Sequence, residues 1–143
     1  MTNNQEKLPD VRKTTVFNAP IEKVWQAVST SEGISKWFMP NDFEPTVGHE
    51  FTIHSPFEQS PCKVLTVDPP NGLSFAWGEF GWQVTFELKE VDGKTEFTLI
   101  HSGWGAPDVV VGQAGATFSV VRDRMNNGWD SIVGERLRKV VEE

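Results

Sequence analysis

The chain has 143 residues, 38% of them hydrophobic and 23% charged, which suits one soluble domain with one core. Twenty acids against thirteen bases leave a net charge of −7, which repels phosphate backbones and argues against nucleic acid as a partner. No apolar run approaches the roughly 20 residues that span a bilayer, and MTNNQEKLPD lacks the apolar stretch of a secretory signal, so an integral membrane segment is not expected and a cytoplasmic location is.

Residues 1–10 read as a flexible tail and 11–143 as a single domain. VRKTTVF, 11–17, mixes β-branched and charged residues and predicts a short strand. After Pro20, well placed at the first turn of a helix, Ile21, Val24, Trp25 and Val28 fall at i, i+3, i+4 and i+7. They form one apolar stripe. STSEGISKWFMP supplies a Ser/Thr cap, then Ile34, Trp37 and Phe38 at helical spacing, before Pro40 forces Met39 out of the helical region. That predicts a second, short helix.

From Gly48 to Gly103 the period changes from 3.6 to 2, the mark of an antiparallel meander. HEFTIHS sets Phe51 and Ile53 on one face, PCKVLTV reads as a continuous buried run, and DPPNG turns the chain into LSFAW. Leu73, Phe75 and Trp77 alternate with Ser74 and Ala76; Trp82, Val84, Phe86 and Leu88 alternate with Gln83, Thr85, Glu87 and Lys89. Asp92-Gly93 is a type I′ hairpin signal, and its partner strand turns Phe97, Leu99 and His101 inward. WGAPDVVVGQAGA has no clean period and reads as a loop. Beyond it Phe118, Val121, Met125, Trp129, Ile132, Val133 and Val140 lie within about 100 degrees of a helical wheel. A long terminal helix follows, with Gly128 as a kink or as its true start. Arg136, Arg138 and Lys139 near its end suit the helix dipole.

This order is α+β: a curved antiparallel sheet must cover its aromatic face, and only the terminal helix is long enough. FNAPIEKVWQAVSTSEGISKWF, VLTVDPPNGLSFAW, VTFEL, TLIHSG and NNGWDSIVGERLRKVV, in order across about residues 11–141, resemble the START-like helix-grip (SRPBCC) superfamily. The most similar group is the AHSA-type family, related to the C-terminal domain of the activator of the ninety-kilodalton heat-shock-protein ATPase. The resemblance implies a seven-stranded sheet, of which six strands are legible; NDFEP near residue 43 is the candidate for the seventh. It also implies a cavity between sheet and helix, in a superfamily that carries lipids, sterols, polyketides and plant phenolics. The family description implies chaperone regulation or a stress response.

The chemistry-bearing residues are few. His49 and His54 have opposite strand parity and His101 has no companion at ligand spacing, so no metal is expected. His101 and Ser102 point to opposite faces of one strand, which defeats a nucleophile and base pair. No glycine-rich strand-to-helix turn offers a phosphate or dinucleotide site, and no cofactor is expected. Lone Cys62, in apolar surroundings, reads as a core residue. No catalytic residue is assigned.

Two inward polar groups remain. His101 either anchors a ligand's polar end or is hydrogen-bonded at the sheet's end; Arg122, about 40 degrees from Phe118 on the wheel, either does the same or reaches Asp123 or Glu87. Trp25 and Trp37 read as packing; Trp77, Trp82 and Trp129 read as cavity wall. The expected ligand-binding set is Phe38, Phe51, Ile53, Phe75, Trp77, Trp82, Val84, Leu99, His101, Arg122, Met125 and Trp129. An empty void of roughly 500 Å³ costs on the order of 12 kcal/mol, so such a space must be collapsed, wet or occupied. The leading expectation is a non-enzymatic domain binding a small hydrophobic or aromatic molecule. The alternatives are a protein-interaction module for a chaperone or other protein, using the exposed sheet face or PDVVV, and a cyclase or hydrolase with His101 as acid or base.

Overall fold

The computed structural model describes residues 8–54, 59–78, 82–104, 110–111 and 116–142. Strand β1 (Val11–Phe17) leads into helices α1 (Ile21–Val28) and α2 (Ser31–Trp37). Strands β2 (Glu50–His54), β3 (Gln59–Asp68), β4 (Gly72–Trp77), β5 (Trp82–Val91) and β6 (Lys94–Ser102) follow. With β1 they make a six-stranded sheet of order β1-β6-β5-β4-β3-β2, antiparallel at every pairing. Helix α3 (Phe118–Ser131) continues through a π-helical segment, Ile132–Leu137, into α4 (Arg138–Glu142). No described helix is long and apolar enough to cross a membrane.

The local signals act as expected at several joints. The Thr30 hydroxyl caps α2 by accepting the Gly33 N–H at 2.9 Å. Asp92 and Gly93 both take positive φ, 53° and 79°, as a type I′ turn requires. Strand β5 buries Val84, Phe86 and Leu88 and exposes Gln83, Glu87 and Lys89. The core thus has one wall of sheet and one of helix.

Four expectations are corrected. PCKVLTV is not continuously buried: Cys62 and Val64 face the core, Pro61, Lys63 and Thr66 face solvent, and Leu65 and Val67 are half-buried. One face of β3 is solvated, and a bulge between Val64 and Thr66 resets its parity. The strand expected at NDFEP shrinks to a single bridge, Asn41 to Ile53, supported by the Asp42 carboxylate accepting the Thr52 N–H at 2.6 Å. Pro40 and Pro45 flank it and cannot donate to a ladder. Within the stretch read as a loop, β7 (Val110–Val111) pairs with β8 (Ala116–Thr117); residues 105–109 and 112–115 lie outside the described residues.

The fourth correction concerns the terminal helix. Gly128 does not start it: α3 begins at Phe118, where the Thr117 hydroxyl accepts from the Val120 N–H, runs through Gly128 to Ser131, and becomes π-helical after that. Val133 is buried as expected, but beyond it the wider turn shifts the buried face from Val140 to Leu137 and Val141, at steps of four residues. Arg138 does more than oppose a dipole. Its guanidinium donates to the Val16 carbonyl at 3.2 Å and the Thr15 hydroxyl at 2.7 Å, pairs with Glu142 at 2.8 Å, and lies 5.1 Å from the centre of the Phe17 ring. Arg138 thereby ties the end of β1 to the terminal helix.

Candidate functional site

His101 stands near the end of β6, opposite Val84 of β5 and Val11 of β1, and is fully buried. Four indoles surround its ring. The centroid distances are 4.6 Å to Trp104, 5.0 Å to Trp82, 5.5 Å to Trp77 and 6.0 Å to Trp129. Trp77 and Trp82 arrive as the last residue of β4 and the first of β5, paired in register, and Trp129 comes from α3. Phe38, just past α2, stacks on Trp129 at 5.3 Å and meets Trp77 edge-on at 5.7 Å. Sheet end, short helix and long helix converge on one imidazole.

The hydrogen bonds at this imidazole determine its tautomer. The Trp129 indole N–H donates to Nδ1 at 3.1 Å. An indole nitrogen is only a donor, so Nδ1 is an acceptor and the proton of the neutral ring sits on Nε2. Burial, followed by the nearby Arg122 guanidinium, pushes the His101 pKa down to about 3, so the ring is neutral near pH 7. Nε2 is buried with no hydrogen-bond partner among the described residues. Its aromatic surroundings are weak acceptors of an N–H.

The expected ligand-binding residues divide into two groups. Phe38, Trp77, Trp82, His101 and Trp129 form the aromatic group above, with Met125 half-buried against the core. Phe51 and Phe75 meet edge-on at 5.3 Å in a second group toward β2, to which Ile53 belongs as a buried neighbour of Phe51 on the same strand face. Val84, fully buried on β5, stands in register with Phe75 on one side and His101 on the other, and Leu99 is fully buried on β6 opposite Phe86. Arg122 reaches neither Asp123 nor Glu87: it donates to the carbonyls of Pro9 at 2.8 Å and Asp10 at 3.2 Å. It pins the segment before β1 to α3.

Trp104 was not legible as a site residue. It is buried, its indole N–H donates to the His101 carbonyl at 2.9 Å, and its ring meets Phe118 edge-on at 6.2 Å. It follows a strand end and a glycine, where no periodicity operates; only its size hinted at burial. Trp37 packs as expected, its N–H on the Ala27 carbonyl at 2.8 Å. Elsewhere an open cleft of ≈ 330 Å³ is lined by Lys23, Gln26, Thr30, Glu32, Lys36 and Val140 among others, none of them in the expected set. No three His, Cys, Asp or Glu among the described residues are placed to hold a metal.

A six-stranded antiparallel sheet carrying a long C-terminal helix across its aromatic face defines the helix-grip class of α+β proteins. Residues 18–142 match the family model described as "Activator of Hsp90 ATPase homolog 1-like protein", and the chain belongs to that family. It is similar to the solution structure of the Bacillus halodurans protein BH1534, with 54% identity, 95% of this chain and 99% of that one covered, and a TM-score of 0.89. The crystal structure of MLL2253 from Mesorhizobium loti is 26% identical over 92% of this chain and 96% of that one, with a TM-score of 0.78. The Aha1 dimer from Colwellia psychrerythraea, at 18% identity and a TM-score of 0.76 over 94% of this chain and 97% of that one, shares the fold. A comparison with curated proteins finds no match.

Proposed function

We propose that the protein binds a small, largely apolar, aromatic-type molecule between the sheet and α3, at the group built around His101. The observation that carries this reading is the buried Nε2–H among four tryptophans, with no acceptor among the described residues. A buried unsatisfied donor costs about 1–3 kcal/mol, and few are left in native proteins without a reason. A ligand acceptor would supply one. The resemblance to carriers of lipids, polyketides and phenolics supports the same reading, as do the flat faces of Trp77, Trp82 and Trp129. Phe38 and Met125 would complete the contact, with Phe51, Ile53, Phe75, Val84 and Leu99 behind it and Arg122 at its rim. The rings already touch one another, so entry requires side chains to part.

The arrangement favours binding over catalysis. An imidazole held neutral down to about pH 3, with an indole rather than a carboxylate on Nδ1, is a poor proton shuttle at pH 7. We place the protein in the cytoplasm as a carrier or sensor of such a molecule. The rival reading, a chaperone-directed interaction module, rests on the family description alone, since the side chains of PDVVV lie outside the described residues.

Thermal shift and native mass spectrometry against fatty acids, naphthalene derivatives and flavones test the proposal. At least one class should raise the melting temperature by several degrees and appear as added mass. A panel in which no compound does either would refute it.

A further inference from the structure

We infer that His101 is the residue that determines ligand choice at this site, with Trp129 as the positioning residue that fixes its tautomer, so that the ligand selected is an apolar aromatic carrying an acceptor oxygen rather than an ammonium or a pure hydrocarbon. This rests on the ligand-binding reading above. Trp129 Nε1 can only donate, its 3.1 Å partner is Nδ1, and Nε2 must therefore carry the hydrogen. The imidazole is thus a one-directional group: it offers an N–H and has no free lone pair to receive a second donor.

The surroundings make that direction count. Nε2 is buried among aromatic rings, and a ligand group placed there loses its water. A carbonyl, ether or phenolate oxygen regains a hydrogen bond, whereas an alkyl group leaves the N–H unmet. An ammonium meets an N–H donor head-on and the Arg122 charge nearby, and no described carboxylate is bonded to the ring to offset them. Trp104 contributes by a second route. Its N–H on the His101 carbonyl holds the backbone of the same residue, so ring and main chain are gripped by different indoles.

Three matched compounds test this: 2-acetylnaphthalene, 2-ethylnaphthalene and 2-(aminomethyl)naphthalene, titrated against the full chain by calorimetry or tryptophan quenching. The acetyl compound should bind about tenfold more tightly than the ethyl compound, the effect of one buried hydrogen bond, and the ammonium compound should bind more weakly than either. The variant His101→Phe should bind the acetyl and ethyl compounds equally. Nitrogen-15 NMR of the wild type, which does not depend on any variant folding, should show Nδ1 bare and Nε2 protonated. The variant Trp129→Phe should release that tautomer and reduce the acetyl preference.

Equal binding of the acetyl and ethyl compounds by the wild type, a protonated Nδ1, or a preference that survives His101→Phe would each overturn the inference while leaving a ligand site intact. A tautomer and preference unchanged in Trp129→Phe would remove Trp129 from it. Failure of all three compounds and of the wider panel would overturn the binding reading itself.

Discussion

The indole N–H of Trp129 and the Nδ1 of His101 meet at 3.1 Å, joining the terminal helix to the central sheet through one buried polar contact. Both residues are almost fully shielded from solvent. A bond in such a place is directional where the surrounding packing is not, so it selects one rotation of the helix over its neighbours.

Burial of His101, followed by the charge of Arg122, makes stability depend on pH with a definite sign. The folded His101 has a pKa near 3 against 6.5 for the free side chain, so between those values the unfolded chain binds a proton that the folded chain refuses. Stability from this residue is complete above pH 6.5 and falls as the pH drops, by up to about 1.4 kcal/mol per unit, until the folded pKa is reached. Urea unfolding of wild type and His101→Phe at pH 7, 6 and 5 isolates the effect. The variant should lose stability less steeply; parallel profiles would show that His101 is not held neutral.

Trp129→Phe keeps a ring on the helix but removes the donor and part of the buried volume. The unmet Nδ1 and the residual space together should cost about 2–4 kcal/mol, read as a lower urea midpoint at unchanged slope. A loss below about 1 kcal/mol would mean that water or another donor replaces the indole.

Two helical glycines should respond in opposite directions to alanine. A Cβ on Gly33 would lie 2.6 Å from the Gln26 carbonyl oxygen and 2.7 Å from that of Ala27, backbone atoms of α1 that cannot swing aside. The expected cost is about 1–3 kcal/mol, against the usual gain from alanine in a helix. Gly128, where an added Cβ meets nothing within 4 Å, should show that gain, about 0.5–1 kcal/mol. Melting temperatures of the two variants moving the same way would contradict the packing of α1 on α2.

Cys62 is buried, and burial pushes its thiol pKa up to about 12. The thiolate is the reactive form, so Ellman's reagent at pH 8 should label the native protein far more slowly than the protein in denaturant. Comparable rates would place the thiol at the surface.

Much of the fold was legible because strand alternation and helical spacing record which way a residue faces. Val84, Phe86 and Leu88 could be assigned to the core, and Asp92-Gly93 to a tight hairpin, before any partner was known. The same parity turned His101 inward although it is polar. What it could not supply was the company His101 keeps. Trp104 lies beyond the last periodic residue of β6, and Arg122 finds two carbonyls more than a hundred positions away in the chain.

Periodicity by itself determined the order of the main elements, the apolar faces of β4, β5 and β6 and the inward set of His101, because those follow from backbone geometry repeated within one segment. Only the tertiary structure decided that a bulge resets β3, that a π segment moves the buried face of the last helix to Leu137, and that an indole from α3 fixes the proton of a β6 histidine. These depend on where elements cross, and a crossing is set by the packing of whole faces rather than by any local pattern. The stretch from Trp77 to Leu88 divides accordingly: Phe86 and Leu88 fill the core, while Trp77 and Trp82 stand against His101 at the sheet's end.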